Sequence, residues 1–305
     1  MPCVRIGEPF RAIAMLTLPN RIFWLASFPK SGNTWMRILI SNMLSGARQP
    51  EDINRLSLQD GIASGVGLFE HQTLLDSGVL KDEEIERMRP AVHDSHAAER
   101  TAGLMLKVHD AYTRLSDGRP LLGQAARAAL YIVRDPRDVA VSLSFHLGLS
   151  LDSAIDHLNR PDSVLERTNR QIRQRLQGWS GHVQSWLDQS DMPVHLIRYE
   201  DLHRDGVGVL RGALDFIGAD YDPDAVPRAV RHANFSELQR QERERGFRER
   251  PKGLETFFRR GEIGGWRQHL AERQAAAIET THAAMMARLG YEIAAGYQGI
   301  ETTQR

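Results

Sequence analysis

Four short apolar runs, at 22–28, 104–108, 129–133 and 194–198, are separated by long stretches with helical patterning. Runs this short and continuous suit strands buried on both faces. Such strands belong to parallel sheets whose crossovers are helices. The alternation therefore predicts an α/β fold, a central parallel β-sheet flanked by helices. The chain has 305 residues, of which 41% are hydrophobic, enough to fill one substantial core. No internal repeat or low-complexity tract divides it. We expect a single domain over 1–305, with 1–20 as an N-terminal extension.

Helix boundaries are legible at several points. Asp135-Pro136 pairs an N-cap with a proline at the first helical position and opens a helix over 137–147; Asp222-Pro223 repeats the device. Further helices are expected over 36–44, over 163–188 with an interruption near Gly178 and Gly181, and over 270–289, ending at Gly290. The stretch 49–100 has weak periodicity and reads as short helices and loops above the sheet. Residues 240–253 are densely charged and include Gly246, Pro251 and Gly253. They read either as a solvated loop or as part of a mobile loop, 240–265, that covers a bound ligand.

Charge and cysteine usage exclude several classes. Lys plus Arg and Asp plus Glu balance at 39 each, so no net field favours nucleic acid or an anionic membrane. Cys3 is the single cysteine, which excludes an intrachain disulfide framework and suits a reducing compartment. No stretch approaches ~20 uninterrupted apolar residues, and the start lacks a secretory pattern. A cytoplasmic location is the expectation. The chain uses 35 arginines but only 4 lysines, Lys30, Lys81, Lys107 and Lys252. Lysine suits a site that needs a compact, rotatable point charge, so Lys30 and Lys107 stand out.

The first apolar run leads directly into Phe28-Pro29-Lys30-Ser31-Gly32-Asn33-Thr34-Trp35 and then into a helical stretch. A strand turning sharply into a helix exposes unpaired N–H groups at the positive end of the helix dipole, which is a ready anion site. Gly32 lets backbone approach the anion, Lys30 adds charge, and Ser31 and Thr34 add hydroxyl donors. The second strand delivers Lys107 and His109, spaced i, i+2 and so able to point the same way. The third ends in Arg134-Asp135-Pro136-Arg137-Asp138, with Ser142 about two turns on. Ligands of open α/β sheets bind beyond the carboxyl ends of the strands, so these three tips are expected to share one crevice.

Together these segments resemble the cytosolic type of sulfotransferase that uses 3′-phosphoadenosine 5′-phosphosulfate (PAPS). The family's 5′-phosphosulfate loop, like YPKSGTTW, is matched by residues 28–35. Its 3′-phosphate segment is matched by 132–142, its KTH by Lys107-Val108-His109, its YED strand end by Tyr199-Glu200-Asp201, and its late RKGxxGDWKxHF loop by 259–270. The matches run in the family's order across most of the chain. The resemblance implies a P-loop-like sulfotransferase fold, PAPS as co-substrate, no metal, and a small hydroxylated acceptor, either a phenol or an alcohol. It implies that Lys30 stabilises the leaving oxygen, and that the loop N–H groups with Ser31, Gly32, Asn33 and Thr34 hold the 5′-phosphate. Trp35 and Phe235 would sandwich adenine, with Tyr199 close by. Arg134, Ser142, Arg259, Arg260 and Gly261 would bind the 3′-phosphate. His109 would be the general base, and Lys107 would neutralise the transferring group.

The sequence departs from the family at Asn33, where threonine is usual, and at Gly265, where aspartate is usual. The family's dimer motif overlaps 267–276, with Ala271-Glu272 in place of its Thr-Val pair, so the oligomeric state stays open. Other readings remain at single residues. Trp35 is either an adenine platform or a core anchor, and Trp266 either packs its loop or touches a ligand. Arg137 and Asp138 read as exposed or capping, and His93 and His96 compete with His109 as base. Residues between 54 and 100, with Phe145, His146, Phe247 and Phe257, are candidates for the acceptor pocket. The rival function is a P-loop phosphotransferase acting on a small molecule. Lys30-Ser31 imitates the end of a Walker loop and Asp135 a metal-binding acid, but Phe28 and Pro29 stand where that loop requires glycine.

Overall fold

The first apolar run forms β1 (Ile22–Ser27), all six residues of which are buried. The other three become β2 (Leu104–Val108), β3 (Ala126–Val133) and β4 (Val194–Arg198). They hydrogen-bond in the order β2-β1-β3-β4, parallel throughout. The computed structural model describes residues 16–17, 22–56, 61–100, 103–251 and 253–293. Of the expected N-terminal extension, only Leu16–Thr17 lies within them, paired antiparallel with Asp220–Tyr221.

Eleven α-helices surround the sheet among the described residues: α1 (Asn33–Ser45), α2 (Val66–Thr73), α3 (Asp82–Ala98), α4 (Pro136–Leu147), α5 (Leu151–Asn159), α6 (Gly178–Leu187), α7 (Tyr199–Arg204), α8 (Gly206–Phe216), α9 (Val226–His232), α10 (Phe235–Arg245) and α11 (Glu272–Arg288). Successive side chains of β1 enter two cores, as the two-residue period requires. Ile22, Trp24 and Ala26 join Leu143, Ile155, Trp179, Trp186 and Ile278 from α4, α5, α6 and α11. Phe23 and Leu25 join Met36, Ile40, Leu214 and Ala229 from α1, α8 and α9. Helices on both faces are why β1, β2 and most of β3 read as apolar runs. The chain leaves β1 for β2 on one side and later passes to β3 on the other. The carboxyl end of β1 is thus a topological switch point, where a crevice opens. No helix among the described residues is long and apolar enough to cross a membrane.

Three expectations fail for identifiable reasons. The long helix over 163–188 does not form. Val164–Leu165 and Gln174–Arg175 make an antiparallel hairpin, and the helix begins only at Gly178, after Gln177 at φ 62°. The intervening backbone is spent on neighbours: Ile172 N–H donates to Ser64 O, Ala111 N–H to Arg175 O, and Thr168 Oγ1 accepts from Arg170 and Gln171 N–H. These tertiary and local bonds override a modest helix propensity.

The stretch 49–100 contains a 17-residue helix, α3. Its period was hidden because charged residues face inward. Arg89 makes a bidentate pair with Asp110 at 2.9 and 2.6 Å, and Glu86 pairs with Arg175. Finally, the charged run at 240–253 is helical through Arg245. There Arg240 bridges Glu237 and Glu244, the i−3 and i+4 neighbours that a helix brings together.

Candidate functional site

The anion loop is built by the turn from β1 into α1. Lys30 (φ 69°) and Gly32 (φ 109°) both take left-handed backbone, costly for lysine and free for glycine. A Cβ on Gly32 would sit 2.6 Å from the ring of Tyr199, so no other residue fits. Helix α1 has no side-chain cap and no acidic residue in its first turn, leaving its first N–H groups to an outside acceptor. Ser31 Oγ is buried without a hydrogen-bond partner, and Thr34 lines the crevice. The Asn33 amide points elsewhere. It donates to Leu25 O at 2.8 Å and to Ser27 Oγ at 3.3 Å, so the side chain pins the turn to β1 and leaves the backbone N–H for an anion.

His109 sits beside this loop, just beyond β2. Its Nδ1 lies 2.8 Å from Ser27 O, a pure acceptor, so Nδ1 carries the proton and Nε2 is left with its lone pair. Burial, and then the Lys107 charge, hold the imidazole well below its usual range, so it is neutral near pH 7. Lys107 shares the cavity wall with it, as the i, i+2 spacing requires. Lys30 Nζ stands 4.1 Å above the Phe257 ring and 3.3 Å from His146 Nδ1. Burial, then Lys107 and Arg134, lower the Lys30 ammonium to about 7, and burial with the Lys30 charge lowers His146 to about 3.

The other wall carries the expected 3′-phosphate residues. Arg134 Nη2 donates to Glu262 O at 2.9 Å, its guanidinium lies 4.3 Å from the Tyr199 ring centroid, and its Nε is buried without a partner. Ser142 is half-buried on the same wall. Arg259 stacks on Phe145 at 3.7 Å, and Arg260 bonds Gln268 at 2.9 Å. Gly261 (φ 64°) presses on Phe235, where a Cβ would come within 2.6 Å of the ring, and its carbonyl accepts from Tyr199 OH at 3.0 Å. Trp35 and Phe235 both line the cavity. Trp35 Nε1 is anchored to Ala233 O at 2.8 Å, so its ring is fixed as well as partly open.

All the sequence-predicted site residues except Ser31, a fully buried residue of the loop, line one cavity of about 1370 Å³. That exceeds the volume of a single drug-sized ligand pocket. His93 and His96 do not line it. Both are buried on α3, and His93 is edge-on to Trp24 at 5.4 Å. Of the acceptor-pocket candidates, Asn54, Leu56, Gly61, Ile62, His146, Phe247 and Phe257 line the cavity, whereas Phe145 packs on His269 and Arg259. Residues 57–60 lie outside the described residues.

Arg137 and Asp138 are buried, not exposed. Arg137 links Asp135 and Glu279, each at 2.6 Å, and stacks on Trp266 at 4.2 Å. Asp138 accepts from Gly264 and Trp266 N–H at 2.7 and 2.9 Å. This carboxylate orders the late loop, where Gly265 stands in place of the family's aspartate. Asp135 is committed to Arg137 and to capping α4, which disfavours the metal role that the phosphotransferase reading requires. Among the described residues, no group of three or more His, Cys, Asp or Glu is arranged to hold a metal.

Two residues on the cavity wall escaped sequence reasoning. Arg37, one turn into α1, bonds Glu249 at 2.6 Å, and Glu249 also lies 3.7 Å from Lys107. Their separation of 212 positions leaves no local signal.

Comparison with known proteins identifies the family and the fold. The sulfotransferase domain family matches residues 20–290. Sulfotransferase 2A1 of Rattus norvegicus is 23% identical over 273 residues, covering 86% of this chain and 84% of its own length. Cytosolic sulfotransferase 12 of Arabidopsis thaliana is 24% identical, with 84% and 74% coverage. Among solved structures, retinol dehydratase in complex with androsterone and inactive cofactor PAP superposes with a TM-score of 0.60 at 21% identity, covering 93% of this chain and 84% of that one. Mouse sulfotransferase SULT7A1 complexed with PAP gives a TM-score of 0.56 at 18% identity, with 89% and 86% coverage.

Proposed function

We propose, on the premise that this chain belongs to the sulfotransferase domain family, a residue-level account of its transfer of a sulfuryl group from PAPS to a hydroxyl. When bound, the nucleotide supplies the sulfuryl group. The residues present fit it. An uncapped helix start and the unpartnered Arg134 Nε on the cavity wall are donors awaiting an anion. The loop N–H groups with Ser31, Gly32, Asn33 and Thr34 would hold the 5′-phosphate. Trp35, Tyr199 and Phe235 would frame the base. Arg134, Ser142, Arg259, Arg260 and Gly261 would take the 3′-phosphate.

In this reading His109 Nε2 takes the proton of the acceptor hydroxyl as its oxygen bonds to sulfur. The bond from sulfur to the bridging oxygen breaks, and 3′-phosphoadenosine 5′-phosphate (PAP) leaves. Lys30 and Lys107 offset the negative charge that develops. The observation that carries this reading is the His109 Nδ1–Ser27 O bond, which leaves a neutral, unprotonated Nε2 in the same cavity as the anion loop. Retinol dehydratase has been solved with androsterone in its complex, which supports a small hydroxylated acceptor here too. We place the enzyme in the cytoplasm, in keeping with its cytosolic relative. We further propose that segment 240–265 closes over bound nucleotide. Gly246 and Gly253, both at positive φ, are the backbone positions at which such a movement would hinge. Turnover with labelled PAPS and a panel of phenols and alcohols tests the reading; transfer to none of them, by protein that binds PAP, would overturn it.

Arg134 supplies the donor-specificity test. Arg134→Ala should cost on the order of 1.5–3 kcal/mol per charged hydrogen bond removed. It should also shrink the preference for PAP over its 3′-dephosphorylated analogue. Calorimetry with both nucleotides decides this; equal weakening of both would remove Arg134 from 3′-phosphate recognition.

A further inference from the structure

Glu249 places a carboxylate among the cations of the anion crevice. It occupies a turn closed by Arg250 N–H donating to Phe247 O at 3.1 Å. The turn is tied to the α1 side of the crevice, where Asn54 Nδ2 donates to Gly246 O at 3.0 Å and Asn54 Oδ1 accepts from Arg248 N–H at 2.7 Å. From there the side chain reaches inward. Oε1 accepts from Arg37 at 2.6 Å, and Oε2 lies 3.7 Å from Lys107 Nζ. Both cations are largely buried, with side chains 12% and 15% exposed, and cations so placed require a counter-charge.

Lys107 cannot serve two anions equally well. We propose that Glu249 is the built-in counter-ion of Lys107, that it is displaced when a sulfuryl group enters and returns when that group departs, and that it thereby sets the discrimination between donor and spent nucleotide. The inference rests on the family reading above, in which Lys107 faces the transferring group. PAP carries no sulfuryl group and so does not compete with Glu249; PAPS does. The carboxylate therefore weakens PAPS selectively, and after transfer it competes with the sulfated product for Lys107. It acts through Lys107 without touching the reacting atoms, so it is a positioning residue. Lys30 and His146 feel its charge too, which places it at the junction of the donor and acceptor halves.

The test is calorimetric titration of PAP and, without acceptor, PAPS into wild type, Glu249→Gln and Glu249→Asp. Glu249→Gln should bind PAPS about tenfold more tightly, equivalent to about 1.4 kcal/mol, with PAP affinity unchanged within about twofold; Glu249→Asp should fall between. Inhibition by sulfated product should tighten in parallel in Glu249→Gln. PAP binding also reports that each variant is folded. An unchanged PAPS-to-PAP ratio, or equal shifts for both nucleotides, would overturn this inference and leave the family reading intact. Wild type that bound neither nucleotide would overturn both.

Discussion

His109→Ala is expected to slow turnover by roughly 10²–10⁴-fold while leaving PAP affinity within a factor of about two. The asymmetry follows from the geometry. The imidazole Nδ1 is held by Ser27, at 2.8 Å from its carbonyl and 3.3 Å from its hydroxyl, and no residue of the 28–35 loop bonds the ring directly. The bond fixes the tautomer, so the ring presents a lone pair to the cavity without rearrangement. Because burial and Lys107 lower its pKa well below 6.5, the base form is already populated at pH 6. The free enzyme should therefore show no loss of kcat/KM around pH 6–7 attributable to His109, and any acid limb should lie lower. A variant that turned over nearly as fast as wild type would move the base to His146, the other histidine beside Lys30.

Lys30→Ala should lower kcat far more than it weakens PAP binding, because in the proposed mechanism its ammonium meets charge that appears only as the bridging oxygen leaves. Parallel losses would make it a phosphate clamp only. A second readout is protonic. In the free protein the Lys30 pKa is lowered to about 7, chiefly by burial, so at pH 8 most of it is neutral. A bound anion favours the charged form and raises that pKa. Nucleotide binding at pH 8 should therefore take up a proton, and Lys30→Ala should abolish most of that uptake. Titration in two buffers of different ionisation enthalpy measures it. Wild type that bound nucleotide with no proton uptake would mean that Lys30 is already charged in the free site.

The sheet was legible because β1, β2 and most of β3 are buried on both faces and so read as apolar stretches, while the edge strand β4 is half-buried and carries His195 and Arg198. The site was legible where it occupies strand tips: residues 28–35, Lys107 and His109, and Arg134 each sit at the end of such a run. The hairpin around 164–175 was not legible. Its backbone bonds go to Ser64, Val66 and Ala111, and no local pattern encodes partners so far away. The same limit hid Glu249 from Arg37 and Lys107. Asp138 was misread because a charged residue after a proline cap usually faces water; here it is buried by a late loop that arrives 126 residues further on. Burial of Glu86 and Arg89 in ion pairs likewise blurred the period of α3.

Tyr199 touches all three parts of the proposed donor site. Its ring lies against Gly32, its face carries Arg134, and its hydroxyl ties down Gly261. One rigid aromatic side chain is thus the common spacer between the 28–35 loop, proposed for the 5′ end, and Arg134 and Gly261, proposed for the 3′ end. Energetically the two ends are then one cooperative unit. Substitutions at Arg134 and in the 28–35 loop should give binding losses that fail to add by 0.5 kcal/mol or more, and shortening Tyr199 should restore additivity even as it weakens both ends.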